Sequence, residues 1–398
     1  MNSQRTVIAE EQVQDAFRRG RLILNYRPGD IVTAQALDTA ERLNIKLVDR
    51  PQESPPPVET DGVTATRRAL YRRNPGWATP KPTESFRAQT LTKLALVGAG
   101  GVGSHLAHLA AIRQITEEIS LVDILPGAAE SIALDLRHAS GITGSNTRLK
   151  GGTSLDLVSD ASVVVVTAGR PRTPGMDRSD LYRINARVIQ GVGEAISTYA
   201  PQSVVIVVSN PVDEMTSVML DTTGFDREKV IGMAGTLDGA RFRDALAQAA
   251  GVSVADVSAM SLGSHGNEMV PIASKATIRD RPIGEILNEE TIESCRQTTI
   301  DGGAAVVRLR RTGSATLAPA HATLELILHM CGHLNGAIPA SVRLNGEYGI
   351  TDSVVAVPCK LSMNGVAEIV ELTLTESELQ QLRRAADAIR SRLGIRES

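Results

Sequence analysis

Cysteine is scarce in this chain. The three residues present, Cys295, Cys331 and Cys359, are odd in number and nowhere spaced CxxC, so reduced, mostly buried thiols are expected, with no metal site. Charge of one sign is also lacking. A formal net charge of -3 gives no footing to a nucleic-acid or polyanion partner. No apolar run approaches a membrane-spanning length, and Met1-Asn2-Ser3-Gln4-Arg5 opens without the apolar core of a secretory signal. A soluble, cytoplasmic protein is expected, bound to neither nucleic acid nor membrane. Aromatic residues make up only 3%, and nothing in the chemistry below depends on them.

With 398 residues, 42% of them hydrophobic, the chain has room for two or three domains. Its texture changes twice. Residues 1–50 form a small module, with helical patterns at Glu10–Arg19 and Thr33–Leu43 and strand patterns at Leu22–Leu24 and Lys46–Val48. Residues 51–90 shift to Pro, Glu, Thr and Arg, too polar to bury a core, and are expected to be a linker. Within it, Arg67–Arg73 and the single tryptophan, Trp77, read equally as a docking element or as a solvated basic stretch. From residue 91 onward apolar β-branched runs such as Ala161–Thr167 and Ser203–Val208 alternate with helical segments. That rhythm predicts an α/β protein built on a doubly wound parallel sheet. No internal repeat is expected.

The strongest chemical signal opens this third zone. The short apolar strand Leu94–Val97 runs into Gly98-Ala99-Gly100-Gly101-Val102-Gly103, and a helical pattern follows over Ser104–Ile112. Gly98 permits a tight turn, Gly100 lets the backbone approach a pyrophosphate, and Gly103 lets the helix pack closely on the strand. The helix N-terminus then offers its amides to the diphosphate. Asp123 lies 20 residues past Gly103, at the end of a second apolar segment, where a carboxylate accepts both ribose hydroxyls and repels a 2'-phosphate. The pattern therefore predicts NAD rather than NADP.

Four clusters downstream carry further chemistry. The loop Thr167–Arg178 leaves the carboxyl end of a strand, where open α/β sheets bind ligands, and includes Arg170, Arg172 and Arg178. Val208-Ser209-Asn210-Pro211-Val212-Asp213 ends another strand on an amide side chain. Asp238 and Arg241, three apart in Leu237–Arg243, share one face of a helix. Gly263–Pro271 supplies His265 in a glycine-flanked turn. Each has an ordinary explanation by itself as a solvated, packing or turn residue. Their company with a nucleotide fingerprint turns the balance toward an enzyme.

Taken together, residues 91–398 resemble the lactate-dehydrogenase-like malate dehydrogenases of the lactate/malate dehydrogenase superfamily. The resemblance rests on GAGGVG, LDLRHA at Leu134–Ala139, TAGRPRTPGMDRSDL, VSNPVD, GTLDGARFR, SHGNEMVP, TGSATLAPA at Thr312–Ala320 and GEYGITD, in the family's order. It implies a Rossmann domain over 91–236, an α+β substrate domain over 237–398, and reversible NAD-dependent oxidation of (S)-malate to oxaloacetate, a tricarboxylic acid cycle reaction. It also implies roles. His265 is the acid/base, Asp238 the carboxylate that holds its tautomer, and Arg241 the grip on the substrate's C1 carboxylate. Arg178 polarises the carbonyl, and Asn210 bonds the same oxygen and places the nicotinamide.

In this resemblance Arg172 decides the substrate. The corresponding position tends to be glutamine in lactate enzymes and arginine in malate enzymes, because a guanidinium neutralises a second carboxylate and disfavours an apolar methyl. A lactate or other 2-hydroxy-acid dehydrogenase is the first alternative, and a non-catalytic scaffold carrying a targeting segment is the second. The family usually has Asp after the His-Gly pair, whereas this chain has Asn267. A homodimer or homotetramer is implied. The N-terminal module resembles short segments on proteins encoded with bacterial microcompartments, so residues 1–90 read either as an address to a partner or microcompartment or as a stabilising appendage.

Overall fold

The computed structural model describes residues 7–18, 23–26, 30–43, 45–49, 88–170, 178–311 and 313–394, and the chain divides into two units, Met1–Thr83 and Glu84–Ser398. Residues 51–87 of the expected linker, with Arg67–Arg73 and Trp77, lie outside the described residues.

In the first unit a strand–helix–strand sequence occurs twice: β1 (Val7–Ile8), α1 (Glu10–Arg18) and β2 (Ile23–Tyr26), then β3 (Ile31–Val32), α2 (Ala34–Arg42) and β4 (Lys46–Asp49). Each strand pairs in parallel with its counterpart. Val7 faces Ile31, 24 residues on, and Ile23 faces Lys46, 23 residues on. Val13 and Ala16 of α1 pack against Ala36 and Ala40 of α2 to make the small core. The expectation of no internal repeat is thus corrected: the motif is duplicated, and between the paired strands the halves repeat one residue, Leu24 opposite Leu47.

The second unit begins with six parallel strands, β5 (Leu91–Val97), β6 (Thr116–Val122), β7 (Arg148–Gly152), β8 (Val163–Val166), β9 (Val204–Val207) and β10 (Val230–Gly232). They lie in the order β7-β6-β5-β8-β9-β10, the doubly wound arrangement whose direction reverses between β5 and β8. Side chains alternate between two cores. Leu94, Leu96, Val163 and Val165 face α3 (Gly101–Arg113) and α4 (Ala128–Thr143), while Ala95, Val97, Val164 and Val166 face α5 (Arg178–Tyr199) and α6 (Val212–Thr223). Burial on both faces explains why these strands read as unbroken apolar runs. Helix α3 starts at Gly101, ahead of the expected Ser104, so two glycines of the loop lie within its first turn.

The remainder adds α7 (Gly235–Ala250), β11 (Val257–Ser258), β12 (Ser261–Gly263), β13 (Met269–Pro271), β14 (Thr277–Ile278), β15 (Arg281–Pro282), α8 (Glu289–Arg310) and α9 (Leu317–Met330). It closes with β16 (Ile338–Asn345), β17 (Thr351–Ser362), β18 (Gly365–Ile369) and α10 (Glu376–Leu393). The antiparallel hairpin β16–β17 joins the parallel sheet where Ser341 meets Gly232 of β10, giving one mixed sheet of 11 strands. Helix α10 is fixed at its start by a capping box of Thr375 and Glu378, and ends on Gly394 in the left-handed region. All three cysteines are buried and free. Among the described residues no helix is long and apolar enough to cross a membrane.

Candidate active site

A cavity of about 510 Å³ opens at the carboxyl ends of the parallel strands, with Gly100, Thr167, Asn210, Arg241, His265 and Thr316 in its lining. One end is built by the glycine loop. Gly98 has φ +110°, and a Cβ there would sit 2.5 Å from Thr167 Oγ1. On Gly103 a Cβ would fall 1.9 Å from the carbonyl oxygen of Gly98, so the first turn of α3 packs directly on the strand end. A Cβ on Gly100 would meet nothing within 4 Å, and no side chain caps the helix that follows. The first amides of a helix have no acceptor within it, so this end of the cavity presents N–H donors and open space to a diphosphate. Asp123 leaves the end of β6 and folds back onto the loop: Oδ2 accepts from the Ala99 amide at 2.8 Å, and Oδ1 from the Leu125 amide at 3.0 Å. A carboxylate has about four lone-pair sites, so two stay available for a diol.

At the other end the helix α7 and the turn after β12 bring three charged groups together. Asp238, only 2% exposed, accepts from Arg241 through Oδ1 at 2.9 Å, as their spacing on one helical face requires, and meets His265 Nδ1 through Oδ2 at 2.8 Å. A carboxylate against Nδ1 keeps that proton in place and leaves Nε2 as the reactive nitrogen. Burial lowers the pKa of His265, but the charge and hydrogen bond of Asp238 outweigh it, and the net displacement is upward from 6.5. Asn210 precedes Pro211 through a cis bond, and its carbonyl accepts from the Asn185 side chain at 2.6 Å.

Residues 92–232 match the NAD-binding domain of the lactate/malate dehydrogenases, and residues 235–395 their alpha/beta C-terminal domain. A malate dehydrogenase of Trichormus variabilis is 41% identical over 303 residues, which are 76% of this chain and 93% of that one. The chain belongs to the lactate/malate dehydrogenase family. Two solved members from Cryptosporidium parvum, a malate dehydrogenase and a lactate dehydrogenase complexed with lactic acid and NAD, superpose with a TM-score of 0.74 each, at 32% and 31% identity, over 77% of this chain and 98% of theirs. As a lactate/malate dehydrogenase the chain uses NAD, and its glycine loop and Asp123 fall within the NAD-binding domain. The first unit precedes both matched domains.

For this lactate/malate dehydrogenase, the structure brings Asn210, Arg241 and His265 to one cavity, with Asp238 behind the last two. Arg172 lies outside the described residues, as does the whole stretch 171–177. Arg178 opens α5, where its backbone alone is described. Three residues that the sequence reading did not single out attach to the site. Asn185, 1% exposed, accepts from the Arg170 amide at 2.7 Å and donates to the carbonyls of Arg170 and Asn210, tying two strand-end loops together. Asp213 closes the VSNPVD motif and lies beneath His265, accepting from its backbone amide at 2.7 Å. Arg392, near the end of α10, reaches the same turn through Ser264. Asp213 was within a quoted motif, yet nothing in a linear sequence ties it to a histidine 52 residues away.

Proposed function

We propose that this chain is an NAD-dependent malate dehydrogenase, interconverting (S)-malate and oxaloacetate. The observation that carries the reading is the single carboxylate of Asp238 held between His265 and Arg241 at the wall of the cavity, 2.8 and 2.9 Å from them. Bound NAD supplies the hydride acceptor, and NADH the donor. In the oxidative direction His265 takes the substrate hydroxyl proton on Nε2 while its Nδ1 proton stays on Asp238, whose charge stabilises the imidazolium. Arg241 grips the C1 carboxylate with its planar fork. Arg178 polarises the reacting oxygen, and Asn210 bonds that oxygen and fixes the nicotinamide.

Arg172 confers the choice of dicarboxylate, by pairing with the second carboxylate. The lactate reading has in its favour that a lactate dehydrogenase superposes on this chain as well as a malate dehydrogenase does, with the same TM-score of 0.74. Spectrophotometric NADH consumption with oxaloacetate and with pyruvate separates the two, and inactivity with both leaves a dehydrogenase of another 2-hydroxy acid or the scaffold reading. Arg172→Gln should move the ratio of efficiencies toward pyruvate by about one to two decades, the worth of a lost charged hydrogen bond. An unchanged ratio would remove Arg172 from this role.

The proposed division of labour gives residues 91–236 to NAD and residues 237–398 to the substrate. Residues 1–50 are an appended module and 51–90 a linker, together addressing a homodimeric or homotetrameric cytoplasmic enzyme to a protein partner or a bacterial microcompartment. A pull-down with residues 1–90 as bait tests the last point.

A further inference from the structure

On the side of His265 away from the cavity, a second carboxylate is buried. Asp213, the second residue of α6, is 1% exposed and accepts three hydrogen bonds from two other segments. The His265 amide and the Ser264 hydroxyl reach Oδ2 at 2.7 and 3.1 Å, and the Ser341 hydroxyl of β16 reaches Oδ1 at 2.8 Å. Ser264 also accepts from Arg392 at 3.3 Å, so it relays the guanidinium of α10 to the carboxylate of α6. Arg392 is itself held by Glu214 at 2.5 Å and by Glu268 at 3.2 Å.

We infer that Asp213 is a positioning residue for His265 that must be ionised for turnover, and that Arg392 keeps it so. An ionised carboxylate accepts from all three donors at once. A proton on Oδ2 would confront the His265 amide, which cannot turn round to accept, and would push the histidine's backbone away from Asp238. The charges acting on Asp213 are Glu214 beside it on α6, His265 on the turn and Arg392 on α10, whose guanidinium also meets Glu268. Burial and Glu214 push the Asp213 carboxyl up to about 6, against the hydrogen bonds of His265 and Ser341. Its loss of charge therefore falls within an accessible pH range.

The inference rests on the proposed dehydrogenase reading, and the direction of reaction separates the two. In oxaloacetate reduction His265 must start protonated, so its titration gives the alkaline limb of kcat and leaves the acid limb to Asp213. The experiment is the pH profile of kcat for oxaloacetate reduction at saturating NADH, with NADH binding followed by fluorescence and folding by thermal melting. The wild type should show an acid limb near pH 6. Arg392→Met removes the counter-charge and should move that limb up by about one unit, Arg392→Lys should restore it, and Glu214→Gln should move it down. Asp213→Asn, where it folds, should lower kcat and lose the limb, with NADH binding kept. Opposite displacements for Arg392→Met and Glu214→Gln are something a packing role alone does not produce. An acid limb that stays in place in both, with kcat merely scaled, overturns the inference. If instead the wild type fails to reduce oxaloacetate, or His265→Asn turns over normally, the dehydrogenase reading falls and the Asp213 inference with it.

Discussion

Gly302 of α8 leaves the space taken by the side chain of Arg241: a Cβ on Gly302 would lie 3.1 Å from Arg241 Cδ. Its neighbour Gly303 faces the guanidinium, where a Cβ would stand 3.6 Å from one terminal nitrogen. Two adjacent glycines inside a helix of 22 residues cost about 1 kcal/mol each relative to alanine, a cost that a seat for Arg241 explains if that arginine grips the substrate as proposed. Gly302→Ala should therefore melt no lower than the wild type and bind NADH equally well. Its KM for oxaloacetate should rise about tenfold, equivalent to about 1.4 kcal/mol of lost grip. A normal KM in a folded Gly302→Ala protein would show that Arg241 does not depend on this seat.

The same arginine and His265 compete for the charge of Asp238, with Arg241 lowering the histidine's pKa and Asp238 raising it. With His265 as the proposed base of malate oxidation, the neutral imidazole is the active form, so activity should rise with pH through a value above the ordinary 6.5. Asp238→Asn should lower kcat and carry that limb toward lower pH. The raised pKa also contributes stability, fully present below the unfolded value of 6.5 and lost as pH rises through the folded one. A melting temperature that loses this dependence in Asp238→Asn would accompany the kinetic change. His265→Asn should cost about 10²- to 10⁴-fold in kcat with NADH binding intact, and near-normal turnover would rule out its role.

How much of this was legible in the chain follows from which contacts are local. Asp238 and Arg241 are three apart on one helix, and Gly98, Gly100 and Gly103 sit in one turn, so their geometry is carried by spacing alone. The two-faced burial of β5 and β8 was equally visible as apolar runs. Asn185 and Arg392 were not, because each lies in a long helix and its partners at the site, Asn210 and Ser264, are 25 and 128 residues away in the chain. The duplicated first unit was hidden for the related reason that parallel pairing matches backbone, and of the four pairs between β2 and β4 only Leu24 opposite Leu47 repeats a residue.

The residue proposed to choose the cofactor is Asp123, whose carboxylate is oriented by the Ala99 and Leu125 amides at the mouth of the glycine loop. A 2'-phosphate brought there would meet that charge. NADH should accordingly be favoured over NADPH, and Asp123→Ser combined with Ile124→Arg, at a side chain 90% exposed, should narrow the gap by about one to two decades. Equal efficiency of the wild type with the two cofactors would defeat the assignment.

The first unit is separable from the catalytic one on two grounds. The chain divides near Thr83, and the matched domains begin at residue 92. The Trichormus variabilis relative is covered over 93% of its length by 76% of this chain, so little of that malate dehydrogenase lies outside the matched stretch. A chain starting at Glu84 keeps Gln89, whose amide bonds the Cys331 carbonyl at 2.8 Å, and all of β5. It should keep the melting temperature, kcat and KM of the full chain. What it should lose is any association or placement in the cell that residues 1–83 confer, measured by co-purification and by fluorescence localisation of both forms. An insoluble or inactive shortened chain would mean that the first unit completes the core or the oligomer. An active one with unchanged partners and placement would leave the duplicated module without the addressing role proposed for it.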